Sequence, residues 1–329
     1  MPSVLRLLLC ILLGAVPLLA SADKLPRLVL AGPFANVSNP LIRMVDSGAL
    51  DDWAEQVEFV SWRTPDQLRA LAIRGDAEVV AMPVNVAANL YNRGVELQML
   101  NVSTWGVLWM VSRDPQLQTL ADFRDREVLV PFRGDMPDIL FRLLASQQGI
   151  DPQRDMRLRY VASPLDAMQL LITRRADHAL LAEPAISMAL RRTRSFPVSV
   201  IAPELHRSVD LQVEWGRLFQ REARIPQAGL ALMGAALQPT LAAAIQTAYA
   251  EALAWCAAEP DVCGELVAAQ IDMLTPEAVA DSIRVSPMQA VPAAAARDEL
   301  EFLFTHLLEQ APGLVGGKLP DDGFYHMQP

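Results

Sequence analysis

Hydrophobic and polar positions along the chain follow one pattern in two separate copies, Thr64–Pro83 and Ser163–Pro184. In each copy a hydroxyl residue precedes a proline, and apolar side chains then recur at helical spacing. An acidic residue, a short apolar run and a further proline complete the copy. Serine and threonine are favoured N-caps, and proline is favoured at the first helical position. The spacing predicts a helix with one buried face, and the apolar run is typical of a strand buried in a parallel sheet. The sequence therefore predicts two similar helix–strand units.

Strand and helix candidates alternate from Arg27 to Ile201, with Val198–Ile201 as the last predicted strand, and the chain beyond Leu205 is mainly helical. Alternation of this kind is typical of α/β proteins whose sheets are flanked by helices. We predict an α/β fold of two lobes, each a mostly parallel sheet flanked by helices, with extra C-terminal helices on the first lobe. Residues 23–110 and 205–329 are assigned to lobe 1, and residues 111–204 to lobe 2.

The first 22 residues are predicted to be a secretory signal peptide rather than part of the fold. Arg6 precedes the apolar run Leu7–Leu19, and Ala20-Ser21-Ala22 offers a small-x-small cleavage site. The alternative is a retained membrane anchor, but the run is short for a membrane span and Pro17 interrupts it. We therefore expect cleavage after Ala22 and a mature chain outside the cytoplasm.

Charge and motif content disfavour several functional classes. The net charge is −10 and no basic block occurs, so nucleic acid is a poor candidate partner. The chain has no serine elbow, zinc-helix motif or phosphate loop. Its two lysines, Lys24 and Lys318, lie far from the predicted site, so an aldehyde cofactor has no lysine to use there. Its histidines share no metal-ligand spacing: His178, His206, His306 and His326. We expect no cofactor, no metal and no catalysis.

Two cysteines remain after the predicted cleavage, Cys256 and Cys263, on either side of a turn at Glu259–Asp261. In an oxidising compartment such a pair is expected to form a disulfide. Closing a short loop in this way would stabilise the fold by roughly 2–3 kcal/mol. The alternative is two independent buried thiols.

A ligand site is predicted where the strands end, because ligands of open α/β sheets bind at the carboxyl ends of the strands. The loops in that position are Gly32–Ser38, Met82–Asn85, Phe132–Pro137 and Glu183–Ile186. Each leads into a helix whose first N–H groups carry partial positive charge. The candidate ligand-binding residues are Phe34, Asn36, Ser38, Met82, Asn85, Trp105, Arg133, Asp135, Met136, Glu183 and Trp215.

Several of these candidates also have structural interpretations, which the sequence leaves open. Asn36 and Ser38 would cap a helix, Trp105 would pack in a connecting strand, Arg133 would pair with Asp135 or Asp138, Glu183 would cap the next helix, and Trp215 would lie on the buried face of an amphipathic helix.

The assembled motifs resemble those of a known family. Leu120–Val130 looks like the entry to the second lobe of periplasmic solute-binding proteins. Gly75–Val80 and Arg174–Ala179 resemble the paired G-x-x-D segments of that family, and Glu183-Pro184 resembles the E-P that follows. Glu259-Pro260 and Gly317–Asp322 resemble its tail region. The nearest subgroup is the nitrate, sulfonate and taurine type, which also contains thiamine-precursor binders.

The resemblance implies a type II periplasmic binding-protein fold that closes on a small solute by a hinge motion. It further implies a periplasmic monomer that delivers the solute to an ABC transporter permease in the inner membrane. By analogy, the crossing strands are expected near Val107–Ser112 and Val198–Pro203. An enzyme on the same fold, or a sensory protein that presents its solute to a membrane receptor, are the alternatives.

Two departures from the family pattern bear on the solute. Arg175 is interpreted as replacing the glycine of the second G-x-x-D segment, and Arg133–Asp135 is more charged than the usual loop. The helix ends and Arg133 favour an anionic or zwitterionic group. Asp135 and Glu183, however, would suit an amine.

Overall fold

The structure, a computed structural model, describes residues 24–201, 204–286 and 288–327. The predicted signal peptide, residues 1–22, and its cleavage site after Ala22 lie outside the described residues. Within the described ranges no helix has an apolar stretch long enough to cross a membrane.

The described strands form two sheets. The strands are β1 (Leu28–Gly32), β2 (Val57–Ser61), β3 (Val79–Pro83), β4 (Leu97–Thr104), β5 (Leu108–Ser112), β6 (Glu127–Pro131), β7 (Arg157–Val161), β8 (His178–Ala182), β9 (His206–Asp210), β10 (Ala228–Met233) and β11 (Val291–Pro292). The first sheet has the order β11-β4-β10-β3-β1-β2, and the second has the order β7-β6-β8-β5-β9. The α/β class is thereby confirmed.

Both sheets are mixed, whereas mostly parallel sheets were predicted. In the first sheet β1 is parallel to β2 and β3, and in the second β6 is parallel to β7 and β8. The remaining pairs are antiparallel, because β10 lies between β3 and β4, and β5 lies between β8 and β9. The parallel half of each sheet is the half that contains one copy of the repeated pattern.

Helices cover both faces of each sheet. They are α1 (Asn39–Asp46), α2 (Pro65–Arg74), α3 (Val84–Asn92), α4 (Met136–Ser146), α5 (Pro152–Asp155), α6 (Pro164–Ile172), α7 (Ala185–Arg194), α8 (Val198–Ile201), α9 (Leu211–Phe219), α10 (Pro239–Ala258), α11 (Pro260–Gln270), α12 (Pro276–Val285) and α13 (Arg297–Gln310).

Strand residues alternate between two apolar layers. In β1, Leu28 and Leu30 pack in a cluster with α1 and α10 on one face of the first sheet. Val29 and Ala31, one position along, belong to the cluster on the other face. This second cluster continues without interruption into the second sheet and includes Val128 and Val130 of β6. One apolar core therefore joins the two sheets.

The repeated pattern folds as predicted. The Thr64 hydroxyl accepts a hydrogen bond from the Gln67 N–H at 3.2 Å, and α2 begins at Pro65. The Ser163 hydroxyl accepts from the Asp166 N–H at 3.1 Å, and α6 begins at Pro164. The strands β3 and β8 follow these helices in both copies.

The ends of the two helices correct one residue assignment. Gly75, with φ 67°, ends α2 in the left-handed conformation, and after α6 the left-handed residue is Arg174, with φ 57°. Arg174 therefore occupies the position that glycine holds in the first copy, and the assignment of that position to Arg175 was wrong. A side chain is strained in this region of φ, and glycine is not.

Removal of either cap should lower stability by a similar amount. We expect Thr64→Ala and Ser163→Ala each to reduce the free energy of unfolding by about 1 kcal/mol, because one N–H in the first turn loses its acceptor. Denaturant unfolding measures this. Thr247→Ala is the control, since its exposed hydroxyl bonds only the Ala243 carbonyl within α10. A loss at Thr247 as large as that at Thr64 would contradict the capping role.

Val198–Ile201 is a short helix, α8, and not the strand that was predicted. Its β-branched run has strand propensity, but it follows Pro197, and proline favours the start of a helix. The strand that completes the second sheet is β9, with the sequence His-Arg-Ser-Val-Asp. β9 is an edge strand paired only with β5 and half-buried, so it lacks the apolar run that marks a central strand.

The chain crosses between the sheets twice. It leaves the first sheet after Thr104 and enters the second at Leu108, and it returns between Phe219 and Ala228. β5 therefore extends across the predicted boundary at 110/111. β9 pairs with β5 in the second sheet, whereas the sequence assigned 205–329 to the first lobe. The second crossing was expected near Val198–Pro203, of which 202 and 203 lie outside the described residues, and the structure has it at 220–227.

Cys256 and Cys263 form a disulfide, with 5.2 Å between their Cα atoms. The bridge joins the end of α10 to α11 and lies in an apolar cluster with Ile42 of α1 and Val279 of α12. It therefore fixes the C-terminal helices against α1.

Candidate functional site

Three central strands, β1, β3 and β6, lead into helices that lack a capping side chain. No side-chain hydrogen bond caps α1 after β1, α3 after β3, or α4 after β6. By contrast, α2 and α6 follow the edge strands β2 and β7 and are capped by Thr64 and Ser163. The partly positive N–H groups of α1, α3 and α4 thus lack a side-chain acceptor at the strand ends, where a ligand is expected.

Three buried polar side chains at the same edge of the first sheet each have an atom without a hydrogen-bond partner. The atoms are Asn39 Nδ2, Asn85 Oδ1 and Thr104 Oγ1, and each residue is at most 5% exposed. An unpaired buried polar atom costs about 1–3 kcal/mol, so in a native protein it calls for a specific reason, such as a bound ligand or water.

Strand pairing places these three residues at one edge of the first sheet. Pro83, just before α3, and Thr104 both pair with Ala228 of β10, so Asn85 and Thr104 lie at one edge of the sheet. Asn39 opens α1 directly after the loop from β1. β1 and β4 run in the same direction as β3, so their ends meet at this edge.

The first crossing holds Trp105 in a fixed position. Its Nε1–H donates to the Gln289 carbonyl at 2.9 Å, and the Arg224 guanidinium lies 4.6 Å from the ring centroid. The ring is 8% exposed, so the packing interpretation describes most of its surface. Gly106 follows with φ 128°, and a Cβ there would lie 2.0 Å from Gln212 Cγ. Position 106 therefore accommodates only glycine.

Asp135 links the two sheets. Its Oδ1 lies 3.0 Å from Arg69 Nη2, and Arg69 belongs to α2 on the first sheet. Burial raises the pKa of the Asp135 carboxyl, and the Arg69 guanidinium opposes this shift. The loop that starts α4 is therefore held against α2.

Arg133, in the same loop, pairs with neither carboxylate that the sequence offered. Its guanidinium lies 4.9 Å from the centroid of the Tyr160 ring, and the residue is exposed. Asp138 instead accepts from the Gly134 N–H at 2.8 Å and lies 3.2 Å from Arg142. Arg133 is thus an exposed cation at the entrance to α4.

The candidates in the Gly32–Ser38 loop contact other parts of the first sheet. The Ser282 hydroxyl of α12 donates to Asn36 Oδ1 at 2.8 Å, and Asn36 Nδ2 donates to the Ser282 carbonyl. Ser38 donates to a carbonyl within its own loop. The structural interpretation predicted that Asn36 and Ser38 cap a helix. Neither side chain caps α1. Phe34 is half-buried under the Arg63 guanidinium, 5.3 Å from the ring centroid.

Glu183 uses both carboxylate oxygens within the protein. Oε2 accepts from the Ser187 N–H in the first turn of α7 at 3.1 Å, and Oε1 forms an ion pair with Arg207 of β9. The side chain is fully buried. The alternative interpretation of Glu183 as a helix cap is confirmed, and no carboxylate oxygen remains unpaired for an amine.

Trp215 lies in an aromatic cluster between α9 and α13. Its ring centroid is 4.6 Å from that of Phe219 and 5.6 Å from that of Phe302. It lines a cavity of about 520 Å³ to which none of the four predicted loops contributes. The buried-face interpretation of Trp215 is therefore the one observed. Met82, Trp105 and Met136, by contrast, are buried in the cluster that joins the sheets, next to the uncapped helices.

Comparison with solved structures gives an independent view of the architecture. No family model and no curated protein sequence matches the chain. An ABC transporter structure from Parabacteroides distasonis is 21% identical over 92% of this chain and 100% of that chain, with a TM-score of 0.75. The periplasmic aliphatic sulphonate binding protein SsuA from Escherichia coli is 15% identical over 92% and 93%, with a TM-score of 0.67. The fold is that of the periplasmic binding proteins. The periplasmic nitrate-binding protein NrtA from Synechocystis PCC 6803 is also similar, at 14% identity over 88% and 82% and a TM-score of 0.66.

In the periplasmic binding-protein fold, the two sheets are the cores of two lobes. Of the predicted site residues, Trp105 and Met136 lie in the apolar cluster that joins the two sheets, and Asp135 bridges the sheets through Arg69. Asn85 lies in the first turn of α3 at the edge of the first sheet. Among the described residues no group of three or more His, Cys, Asp or Glu side chains is placed to hold a metal ion. The unpaired polar atoms at the edge of the first sheet are those of amide and hydroxyl groups.

Sequence reasoning missed Asn39, Thr104 and Ser282. Asn39 precedes Pro40 at the start of α1 and follows β1 as Asn85 follows β3, and Thr104 is the last residue of β4, just before Trp105. That position was the available signal. Ser282 lies 246 residues from Asn36, and no local pattern joins them.

Proposed function

We propose that this chain is the extracytoplasmic solute-binding component of an ABC importer, and that it captures a small polar solute between its lobes by hinge closure. The solved structures with this fold include proteins that bind an aliphatic sulphonate and nitrate. We place the protein in the periplasm, acting as a monomer that hands its solute to an inner-membrane permease. The role is one of binding without a chemical step.

The observation that carries the proposal is the set of unpartnered atoms of Asn39, Asn85 and Thr104 at one lobe edge. Side chains that are buried without partners become satisfied when a solute supplies the missing hydrogen bonds. The N–H groups of α1, α3 and α4 add partial positive charge to the same region, and the exposed Arg133 adds a full charge. These donors favour a solute with an anionic or zwitterionic group.

We propose that the hinge consists of the two crossings, Trp105–Val107 and 220–227. The Ile225 N–H donates to the Trp105 carbonyl at 2.9 Å, so the two segments are joined. Lobe 1 would then comprise the first sheet with its C-terminal helices, and lobe 2 the residues from 108 to 219. A solute that contacts both lobes favours the closed state because it gains contacts only there.

A ligand screen by thermal unfolding tests this function. The panel is ethanesulfonate and other aliphatic sulfonates, nitrate, α-amino acids and pyrimidines. A solute present at 100 times its Kd stabilises the folded state by roughly 2.7 kcal/mol, which is a clear shift in Tm. The absence of a shift with every member of the panel would count against a small-anion or zwitterion binder.

Asn85→Ala should separate binding from stability. We expect the affinity for the solute found in the screen to fall roughly 10- to 100-fold, because a buried hydrogen bond to the solute is lost. The free energy of unfolding of the solute-free protein should stay the same or rise, because Asn85 Oδ1 has no partner within the protein. Calorimetric titration and denaturant unfolding measure the two quantities.

Asn101→Ala is the matched control. Asn101 is also buried on the first sheet, but its amide donates to Gln246 at 2.6 Å and accepts from the Leu230 N–H at 3.3 Å. Its loss should cost about 1–3 kcal/mol of stability and leave the affinity nearly unchanged. If Asn85→Ala destabilised the protein as Asn101→Ala does and left binding intact, Asn85 would be structural and the proposed site would be refuted.

A further inference from the structure

One turn of α12 contacts both the β1–α1 loop and the second lobe. Ser282 is fully buried, and its hydroxyl lies 2.8 Å from Asn36 Oδ1 and 2.7 Å from the Val279 carbonyl oxygen, so the two acceptors share one O–H. Its carbonyl accepts from Asn36 Nδ2 at 3.3 Å. Both hydrogen-bonding ends of the Asn36 amide are thus held by one residue. This pairing fixes the orientation of the amide and the shape of the loop that leads into α1.

The neighbouring residue, Asp281, contacts the other lobe. Its two carboxylate oxygens accept from Arg191 of α7, Oδ1 from Nη2 at 2.9 Å and Oδ2 from Nε at 2.5 Å. Arg284 approaches the same carboxylate at 3.5 Å. A two-pronged guanidinium–carboxylate pair fixes direction as well as distance, so Asp281 sets where α7 lies relative to α12.

The base of α12 is rigid. Gly264 of α11 lies so close to α12 that a Cβ there would be 2.3 Å from the Pro276 carbonyl oxygen. The disulfide between Cys256 and Cys263 is buried in the same cluster as Val279 of α12. Phe34 of the β1–α1 loop and Met188 of α7 both pack against this cluster. A movement of α7 away from α12 would therefore change the packing of the β1–α1 loop against this cluster.

We propose that α12 couples solute binding to lobe closure, with Ser282 as a positioning residue for the β1–α1 loop and Asp281 as the contact that holds α7 in the closed state. This inference rests on the proposed solute-binding function. It adds that affinity is set partly outside the cleft, by two adjacent residues of a C-terminal helix.

Substitutions at the two positions give different signatures. Asp281→Asn should lower the affinity for ethanesulfonate, or for whichever panel solute binds best, roughly two- to five-fold, and the loss should shrink in high salt because the pair is partly exposed. Glu277→Gln removes the same charge one turn earlier, on an exposed position of α12 whose charge acts on Arg191 without a direct ion pair, and should lower the affinity clearly less than Asp281→Asn does. Ser282→Ala should lower affinity at every salt concentration, and Ser282→Thr, which keeps the hydroxyl, should restore it.

Small-angle scattering of the solute-free protein makes the test independent of the solute. Asp281→Asn should increase the radius of gyration relative to Glu277→Gln, because the closed state loses its contact with α7. If no panel solute binds the wild-type protein, the proposed function fails while this comparison still decides the α12 contact. Equal behaviour of Asp281→Asn and Glu277→Gln would overturn the role of Asp281. Unchanged affinity in Ser282→Ala, or no recovery in a stably folded Ser282→Thr, would overturn the role of Ser282.

Discussion

Glu183→Ala is expected to lower the free energy of unfolding by about 3–5 kcal/mol. Glu183 is fully buried, and its substitution leaves Arg207 without its carboxylate, with only the Ser187 hydroxyl as acceptor, while the side chain of Arg207 is only 23% exposed. The Ser187 N–H in the first turn of α7 also loses its acceptor. Breaking a buried pair from one side costs more than the pair itself contributes, because one charge stays in the interior. Denaturant unfolding measures the loss, provided that the dependence of the unfolding free energy on denaturant concentration is the same in the variant and the wild type.

Two further variants make this result specific. Glu204→Ala breaks an ion pair between exposed side chains, with Arg194, and should cost no more than about 1 kcal/mol. Glu183→Ala combined with Arg207→Ala should recover part of the loss, because the unpaired charge is removed. A different outcome, in which Glu183→Ala keeps its stability and loses solute affinity, would return Glu183 to the ligand-contact role that the sequence suggested.

Local signals made the fold largely predictable. The caps Thr64 and Ser163, each followed by a proline, act within one turn of the helix, so they could be read without knowledge of the tertiary structure. Val198–Ile201 and β9 were not predictable in this way. The first has the β-branched composition of a strand and becomes a helix, and the second has a polar sequence and becomes an edge strand. For Val198–Ile201 the preceding Pro197 outweighed the strand propensity of the run. For β9 the edge position in the second sheet decided the outcome against local propensity.

Candidate site residues could be predicted from the sequence only where they lie at the end of a predicted strand. Asn85 was identified because it follows a buried strand, and the same argument would have reached Asn39 and Thr104. For Glu183 the residue type was informative but its role depended on Arg207, which lies in a strand that the sequence did not reveal. Whether a polar side chain is free to bind a ligand depends on hydrogen-bond partners that are distant in the chain. The local spacing of residues in the sequence does not indicate these partners.

Trp215→Ala is expected to lower the free energy of unfolding by about 3–5 kcal/mol while changing solute affinity little. The ring is 2% exposed and packs against Phe219 of its own helix and Phe302 of α13. Removal of a buried indole leaves a cavity that the surrounding helices fill only in part. Because α9 follows the second sheet and α13 belongs to the C-terminal helices, the same contact also joins two parts of the fold. We therefore expect the variant to unfold less cooperatively than the wild type.

Trp255→Ala is the matched control for this experiment. Trp255 is half-buried, with the Arg43 guanidinium 4.1 Å from its ring centroid, so its loss should cost clearly less than that of Trp215. Trp215→Phe retains an aromatic ring against Phe302 and should recover most of the stability. Calorimetric titration of each folded variant with the solute separates the two roles of Trp215. A variant that keeps the wild-type unfolding curve but no longer binds would show that the ring contacts the solute, because a packing role alone leaves the Asn85 edge of the first sheet intact.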